Sequence, residues 1–170
     1  KVYSFAKIPH NFPKEYIKQR MSGEMIARYY TAPIKEYVLY VENVTDFKKL
    51  PKIIQKHLLD NKQILKQRAT VSYEGRIWWK YSRPMHKELY KYSKIWTSYR
   101  GMENRFTLDE TSDFIGFTNT TVIFQTNKNI NLKYVLGIIN SKLLNFYHHK
   151  TAKQTGGGVF EYVPNVVGKL

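Results

Sequence analysis

The chain has 170 residues, 42% hydrophobic and 15% aromatic, enough to pack one domain, or one domain with a small appendage, and too apolar for a disordered segment. It has no cysteine, which excludes disulfides, thiolate metal sites and cysteine nucleophiles, and its apolar runs fall short of the ~20 residues that span a bilayer. The formal charge is +15, concentrated in residues 48–105, where 15 basic residues face 4 acidic ones. Such a balance attracts polyanions, nucleic acid first and an anionic membrane surface second, although a lysine-rich proteome would produce the same excess. The basic start, Lys1 to Lys7, leads into no long apolar run and reads as no signal peptide, which fits a cytoplasmic setting.

In chain order, Pro9, Pro13 and Pro33 interrupt the first 33 residues, and Met21 to Ile26 fits a turn or short helix. Glu36 to Val41 is short, aromatic and β-branched, a strand. Thr45 or Asp46 can cap a turn, and Pro51 suits the start of a helix. From about 51 to 67, Ile54, Leu58, Asn61 and Leu65 form one stripe, widened by Ile53 and Ile64, opposite Lys52, Lys56, Lys62 and Lys66. Residues 95–99, 105–108 and 121–125 read as strands, with Gly101 and Gly116 as turns between them. A second helix starts at the N-cap Asn131 and ends near Lys150, with Leu132, Val135, Leu136, Ile139, Leu143 and Phe146 as its core stripe. Gly156-Gly157-Gly158 is a turn into a last strand, 159–163. These elements predict an α/β (α+β) fold, a mixed and mostly antiparallel sheet with the two helices packed on it.

The chemistry-bearing stretch is Arg76 to Arg105, where bases and aromatics interleave. Cations hold phosphates, arginine can clamp a guanine edge, and aromatics stack on bases. The candidates are Arg76, Lys80, Tyr81, Arg83, Lys94, Arg100 and Arg105, while Trp78, Trp79 and Trp96 are better spent in the core. No catalytic or metal site stands out. Asp60-Asn61-Lys62 imitates an acid-x-Lys nuclease pattern but lies inside a lysine-rich helix, and Asp109, Glu110 and Asp113 read as a solvated acidic turn. His148 and His149 are adjacent, lack acidic partners at ligand spacing and read as surface residues. The glycine run is followed by no Gly-Lys-Ser/Thr, and neither a Gly-rich S-adenosylmethionine loop nor an Asn/Asp-Pro-Pro-Tyr/Phe motif occurs.

The order of segments resembles the TaqI-like C-terminal specificity domain of adenine-methylating restriction–modification enzymes. Gly23-Glu24-Met25-Ile26-Ala27-Arg28-Tyr29 is similar to its opening Gly-x-x-Ile-x-Arg-Tyr segment, and Tyr37-Val38-Leu39-Tyr40 to its next strand. Leu50-Pro51-Lys52-Ile53-Ile54, through His57-Leu58 to Leu65 and Arg68, resembles its first helix. Trp78-Trp79 before Arg83-Pro84 resembles a Trp-Trp-x-x-x-x-Pro-Arg segment with Pro and Arg exchanged. Lys94-Ile95 and Arg105-Phe106 to Asp109 fit the following strands. The sharpest match is Leu132-Lys133-Tyr134-Val135-Leu136-Gly137-Ile138-Ile139-Asn140-Ser141-Lys142-Leu143-Leu144, and Gly158 to Tyr162 fits the closing strand. The resemblance covers about 23–170, and residues 1–22 match poorly. The family usually continues with Pro-Ile-Pro where this chain has its last residue, so a fragment of a longer enzyme is expected.

The resemblance implies a non-catalytic domain that reads double-stranded DNA for a methyltransferase domain of the same chain. That domain would use S-adenosylmethionine on a flipped adenine, and a fused endonuclease would use Mg2+. Base-reading residues vary with the target, so the contact list rests on charge and aromatic pattern alone. Two other readings remain: a sequence-neutral RNA or single-strand binder, suggested by the tyrosine-rich stretch 73–99, and a nuclease in its own right.

Overall fold

In the computed structural model, which describes residues 2–82 and 87–170, the chain divides into two units. Lys1–Gln19 joins Lys35–Lys87, and Arg20–Ile34 joins Glu88–Leu170. The content is the expected mixture of helices and mostly antiparallel sheets.

The first unit starts from three short strands, β1 (Ser4–Phe5), the Ile17–Gln19 part of β2 (Ile17–Met21) and β3 (Tyr37–Leu39). β3, the aromatic β-branched segment, pairs antiparallel with β1 on one side and with Ile17 to Gln19 of β2 on the other. Asp46 caps the next turn, Phe47–Lys49, its carboxylate accepting from the Lys48 N–H at 2.9 Å. Pro51 then leads into α1 (Lys52–Asp60), followed by α2 (Lys62–Lys66) and α3 (Ala69–Ser72).

The single helix expected over 51–67 is thus two. Asn61 donates its side-chain amide to the His57 carbonyl at 2.8 Å and leaves helical geometry at φ −104°, ψ 11°. A short amide competing for the i−4 carbonyl is the recognised way Asn interrupts a helix. Ile54, Leu58 and Leu65 still share one core with Leu39, Val41, Leu50 and Trp79. Ile53 and Ile64, expected to widen that stripe, are 38% and 62% exposed.

The second unit is organised around β4 (Lys94–Ser98), every residue of which is buried. β5 (Arg100–Gly101), β6 (Phe106–Asp109), β7 (Phe114–Gly116) and β8 (Thr120–Phe124) follow. β4 is the middle strand of an antiparallel β6-β4-β8 sheet. Strand alternation gives it two interiors. Ile95 faces a core with Phe106, Leu132, Leu136, Ile139, Tyr162 and Val167, and Trp96 one with Met21, Met25 and Ile26. Gly116 is not a turn residue. It lies in β7, where a Cβ would stand 2.3 Å from the Trp96 ring, so its role is to make room for the indole.

The helix expected over 131–149 is also two, α4 (Leu132–Ile139) and α5 (Lys142–Thr151). Asn131 caps α4 as expected, accepting from the Lys133 and Tyr134 N–H groups. The break falls at Asn140-Ser141. Ser141 takes an extended conformation and caps α5, its hydroxyl accepting from the Leu144 N–H at 3.2 Å. Asn140 turns its amide onto the edge strand β6. It accepts from the Phe106 N–H at 3.0 Å and donates to the Phe106 carbonyl at 2.9 Å, extending the ladder by one side chain. The break changes the phase of the apolar stripe. Leu132, Leu136 and Ile139 are buried, whereas Leu143 and Phe146 are 73% and 61% exposed.

The interior of α5 is filled by His148 instead. The two histidines read as surface residues are packed: His148 is fully buried and stacked on Tyr162 at 4.1 Å, and His149 stacks on Phe160 at 4.3 Å. β9 (Gln154–Gly156) and β10 (Val159–Glu161) form a hairpin whose Gly156, Gly157 and Gly158 all have positive φ, and β10 pairs on its other side with β5. α6 (Pro164–Val167) closes the unit.

Two outcomes follow. Asn140→Ala strands a buried N–H on Phe106 and should cost about 2–4 kcal/mol in urea denaturation, since an orphaned buried donor loses its full desolvation. Burial, with the charge of His149 beside it, holds His148 down to about 4. The unfolded chain takes up that proton near pH 6.5, so between pH 6.5 and 4 it binds more protons than the folded chain. Stability should therefore fall as pH falls through that window, by a few kcal/mol at most, and the slope should flatten in His148→Phe relative to the unsubstituted protein.

Candidate nucleic-acid interface

In the first unit the structure places Arg76, Lys80 and Tyr81 very differently. Arg76 is exposed, its guanidinium 3.6 Å from the Glu74 carboxylate, a pair that water screens heavily. Lys80 is half-buried. Its ammonium lies 5.2 Å from the Trp79 ring and donates to the Glu42 carbonyl at 3.2 Å, leaving donor capacity for an incoming phosphate.

Tyr81 is an internal fastener. Its hydroxyl donates to the Leu39 carbonyl at 2.8 Å, its N–H to the buried Glu42 carboxylate at 2.7 Å, and its ring packs on Tyr3. Arg68, the last residue of the first-helix resemblance, clamps the same segment by donating to the Leu65 and Trp78 carbonyls at 3.0 and 2.6 Å. Arg83 lies outside the described residues.

In the second unit Lys94 is withdrawn from any surface. It is fully buried, directly opposite Asp109 in the β4–β6 ladder. Its ammonium lies 3.3 Å from the Asp109 carboxylate and donates to the carbonyls of Tyr90, Tyr92 and Thr111. Asp109 also accepts from Trp96 Nε1 at 3.1 Å and from the Thr111 N–H at 2.8 Å. A buried pair so fully hydrogen-bonded is a structural lock, and breaking it from one side would strand a charge. Lys94 therefore cannot reach a phosphate, and Asp109 is not part of a solvated acidic turn, although Glu110 and Asp113 are exposed. The sequence signal that separates Lys94 from the other cations is its place in a strand whose neighbours Ile95 and Trp96 are both core types.

Arg100 and Arg105 remain available. Arg100 is 60% exposed and touches Glu161 only at 3.5 Å. Arg105 is half-buried, and its Nε has no hydrogen-bond partner. It acts on Tyr162 through its charge, as do Glu103 and Arg28. Burial raises the Tyr162 phenol well above its usual range despite these cations, so it stays protonated and donates to Asn104 Oδ1 at 3.0 Å.

Arg28 was not among the sequence candidates. It reaches the Glu103 carboxylate at 3.1 Å and the Asn104 carbonyl at 3.4 Å, and so brings a cation to the Arg105 side of the unit. Its only sequence cue is its place in Gly23 to Tyr29, the first of the segments that carry the family resemblance. The two residues that follow it, Tyr29 and Tyr30, are 53% and 65% exposed.

Together these residues offer cations and exposed aromatic surface. Among the described residues no three His, Asp or Glu side chains come together as metal ligands, and no helix is long and apolar enough to cross a membrane. Asp60 and Lys62 flank the Asn61 break on the helical segment, away from any strand. A search of curated proteins returns no match. The family model of the TaqI-like C-terminal specificity domain, in contrast, matches residues 18–170 and so takes in both helical segments, the β6-β4-β8 sheet and the closing hairpin. Matched over that span, the chain belongs to the TaqI-like C-terminal specificity domain family, the DNA-recognition part of methyltransferase-type systems.

Proposed function

We propose that this chain reads base sequence in double-stranded DNA for an adenine-specific methyltransferase of a restriction–modification system, carried with it in one longer enzyme. The family match is the observation that supports this most. The charge distribution adds to it, with 15 of the 28 basic residues falling in residues 48–105. On this reading Arg76, Lys80, Arg83, Arg100 and Arg105, joined by Arg28, supply contacts to phosphates and base edges. Lys94 and Tyr81 hold the scaffold. Methyl transfer from S-adenosylmethionine belongs to the methyltransferase part, and Mg2+ belongs to an endonuclease part where one is fused. The cytoplasm, where such an enzyme meets its DNA, is the setting proposed for it.

The single-strand or RNA reading draws on the tyrosine-rich stretch, and the structure gives much of that stretch internal work. Tyr81 fastens β3, and Tyr90 packs on Trp96 and Phe124 with its phenol pushed up by burial. Tyr73, 89% exposed, is the strongest remaining argument for stacking on an unpaired base.

If about six phosphates are neutralised, duplex affinity should fall with salt at a log–log slope near −5, measured by fluorescence anisotropy. Charge reversal at Arg83, Arg100 and Arg105 together should weaken binding by roughly tenfold or more and make the slope shallower, as expected when phosphate contacts are lost. A flat salt response, or tighter binding to single strands than to duplex, would contradict the proposal.

A further inference from the structure

Two tyrosines stand at a turn that the fold builds at a cost. Ile26 bridges Thr31, the Ala32 N–H donates to the Met25 carbonyl at 2.7 Å, and the Ala27 N–H donates to the Tyr30 carbonyl at 3.0 Å. Arg28 and Tyr29 are then the two central residues of a tight hairpin turn. The second of them has φ +73°, a left-handed conformation that ordinarily calls for Gly or Asn. Tyr29 is the one non-glycine with positive φ among the described residues. A side chain there is strained and persists only where the surroundings over-determine the backbone.

The surroundings do so here. The Tyr29 N–H donates to the Phe106 carbonyl at 2.9 Å, the carbonyl that Asn140 also holds, and the Arg28 guanidinium is tied to Glu103 and the Asn104 carbonyl. The strain wins little inside the protein. Tyr29 and Tyr30 leave 53% and 65% of their surface in water, so neither ring contributes the burial that would justify its place. Glycine would satisfy the turn better, and a smaller residue at Tyr30 would expose less apolar surface. What the turn does achieve is rigid presentation of two aromatic rings beside Arg28, on the side of the unit where Arg105 acts on Tyr162. Aromatic faces held beside arginines suit the sugars and bases of a nucleic acid, because stacking supplies affinity and the cations hold the backbone.

We infer that the Arg28–Tyr30 turn is a DNA-contacting element of this domain, with Tyr29 and Tyr30 packing on nucleotide sugars or bases and Arg28 on an adjacent phosphate. The inference rests on the duplex-reading proposal and extends it to a segment outside the basic stretch 48–105.

The test is a pair of measurements on each of Tyr29→Gly, Tyr30→Ala and the unsubstituted chain: urea denaturation, and anisotropy with a fluorescein-labelled mixed-sequence duplex of about 20 base pairs in 50 mM salt. Tyr29→Gly should fold at least as stably as the unsubstituted chain, because it relieves the backbone, and yet bind duplex roughly tenfold more weakly. Tyr30→Ala should keep its stability and also lose affinity. Unchanged affinity in both stably folded variants, with the unsubstituted chain binding, would overturn the role of the turn while leaving the duplex-reading proposal intact. If Tyr29→Gly loses stability and affinity together, Tyr30→Ala decides, and unchanged binding by it would show the turn to be structural. If the unsubstituted chain binds no duplex at all, the underlying proposal fails and this one fails with it.

Discussion

A side-chain amide on a strand edge organises the second unit. Asn140 satisfies both the N–H and the carbonyl of Phe106, and Asn104, two residues earlier, repeats the device in reverse. Asn104 donates its amide to the Ile139 carbonyl at 2.7 Å, its backbone N–H donates to Asn145 Oδ1 at 2.6 Å, and its Oδ1 accepts from the buried Tyr162 phenol. Three asparagines thus join an edge strand to the C-terminal end of one helix, the first turns of the next and the closing strand region. Edge groups of a sheet must be paired or watered, and here they are paired by the break in a helix. A continuous helix over 131–149 would present Asn140 on a helical face with no reason to reach β6.

The same knot places the candidate contacts. Phe106 also accepts from Tyr29, and the Asn104 carbonyl accepts from Arg28, so the strained turn is held by the residues that fix the helices. Arg105 lies between those two anchors, and Glu103 just before them receives Arg28. Side chains held this way would lose little freedom on binding a ligand, which favours specificity over adaptability. A different and equally buried device, the Lys94–Asp109 pair, ties the opposite end of the β4–β6 ladder and takes one cation out of the binding inventory.

Much of this was legible in the sequence. β3, β4, β6 and β8 fall within a residue or two of the expected strands, because alternating aromatic and β-branched residues have few other uses. The caps Asp46 and Asn131 were readable for the same local reason. What periodicity could not show is where a polar residue leaves the stripe to serve another element. Asn61 and Asn140 each look tolerable in a helix, and only the tertiary partner, or in the case of Asn61 the His57 carbonyl, decides that the helix stops. Periodicity run through that break puts Leu143 and Phe146 in the core and His148 at the surface, and the one misplaced turn reverses both. Among the candidate contacts, the structure leaves the arginines at 76 and 100 exposed, but composition cannot distinguish a lysine that meets solvent from one opposite a buried aspartate. Backbone strain at Tyr29 leaves no trace in composition at all.

The central claim is that this domain distinguishes base sequences, which charge alone cannot do. The most direct measurement incubates the purified chain with a randomised duplex pool at about 50 and 200 mM salt and sequences what is retained. The account predicts a short recovered motif that persists at the higher salt, because base-edge contacts are less salt-dependent than phosphate contacts. Retention that vanishes with salt and leaves no motif would contradict it, and would reduce the chain to a basic surface with general affinity for polyanions.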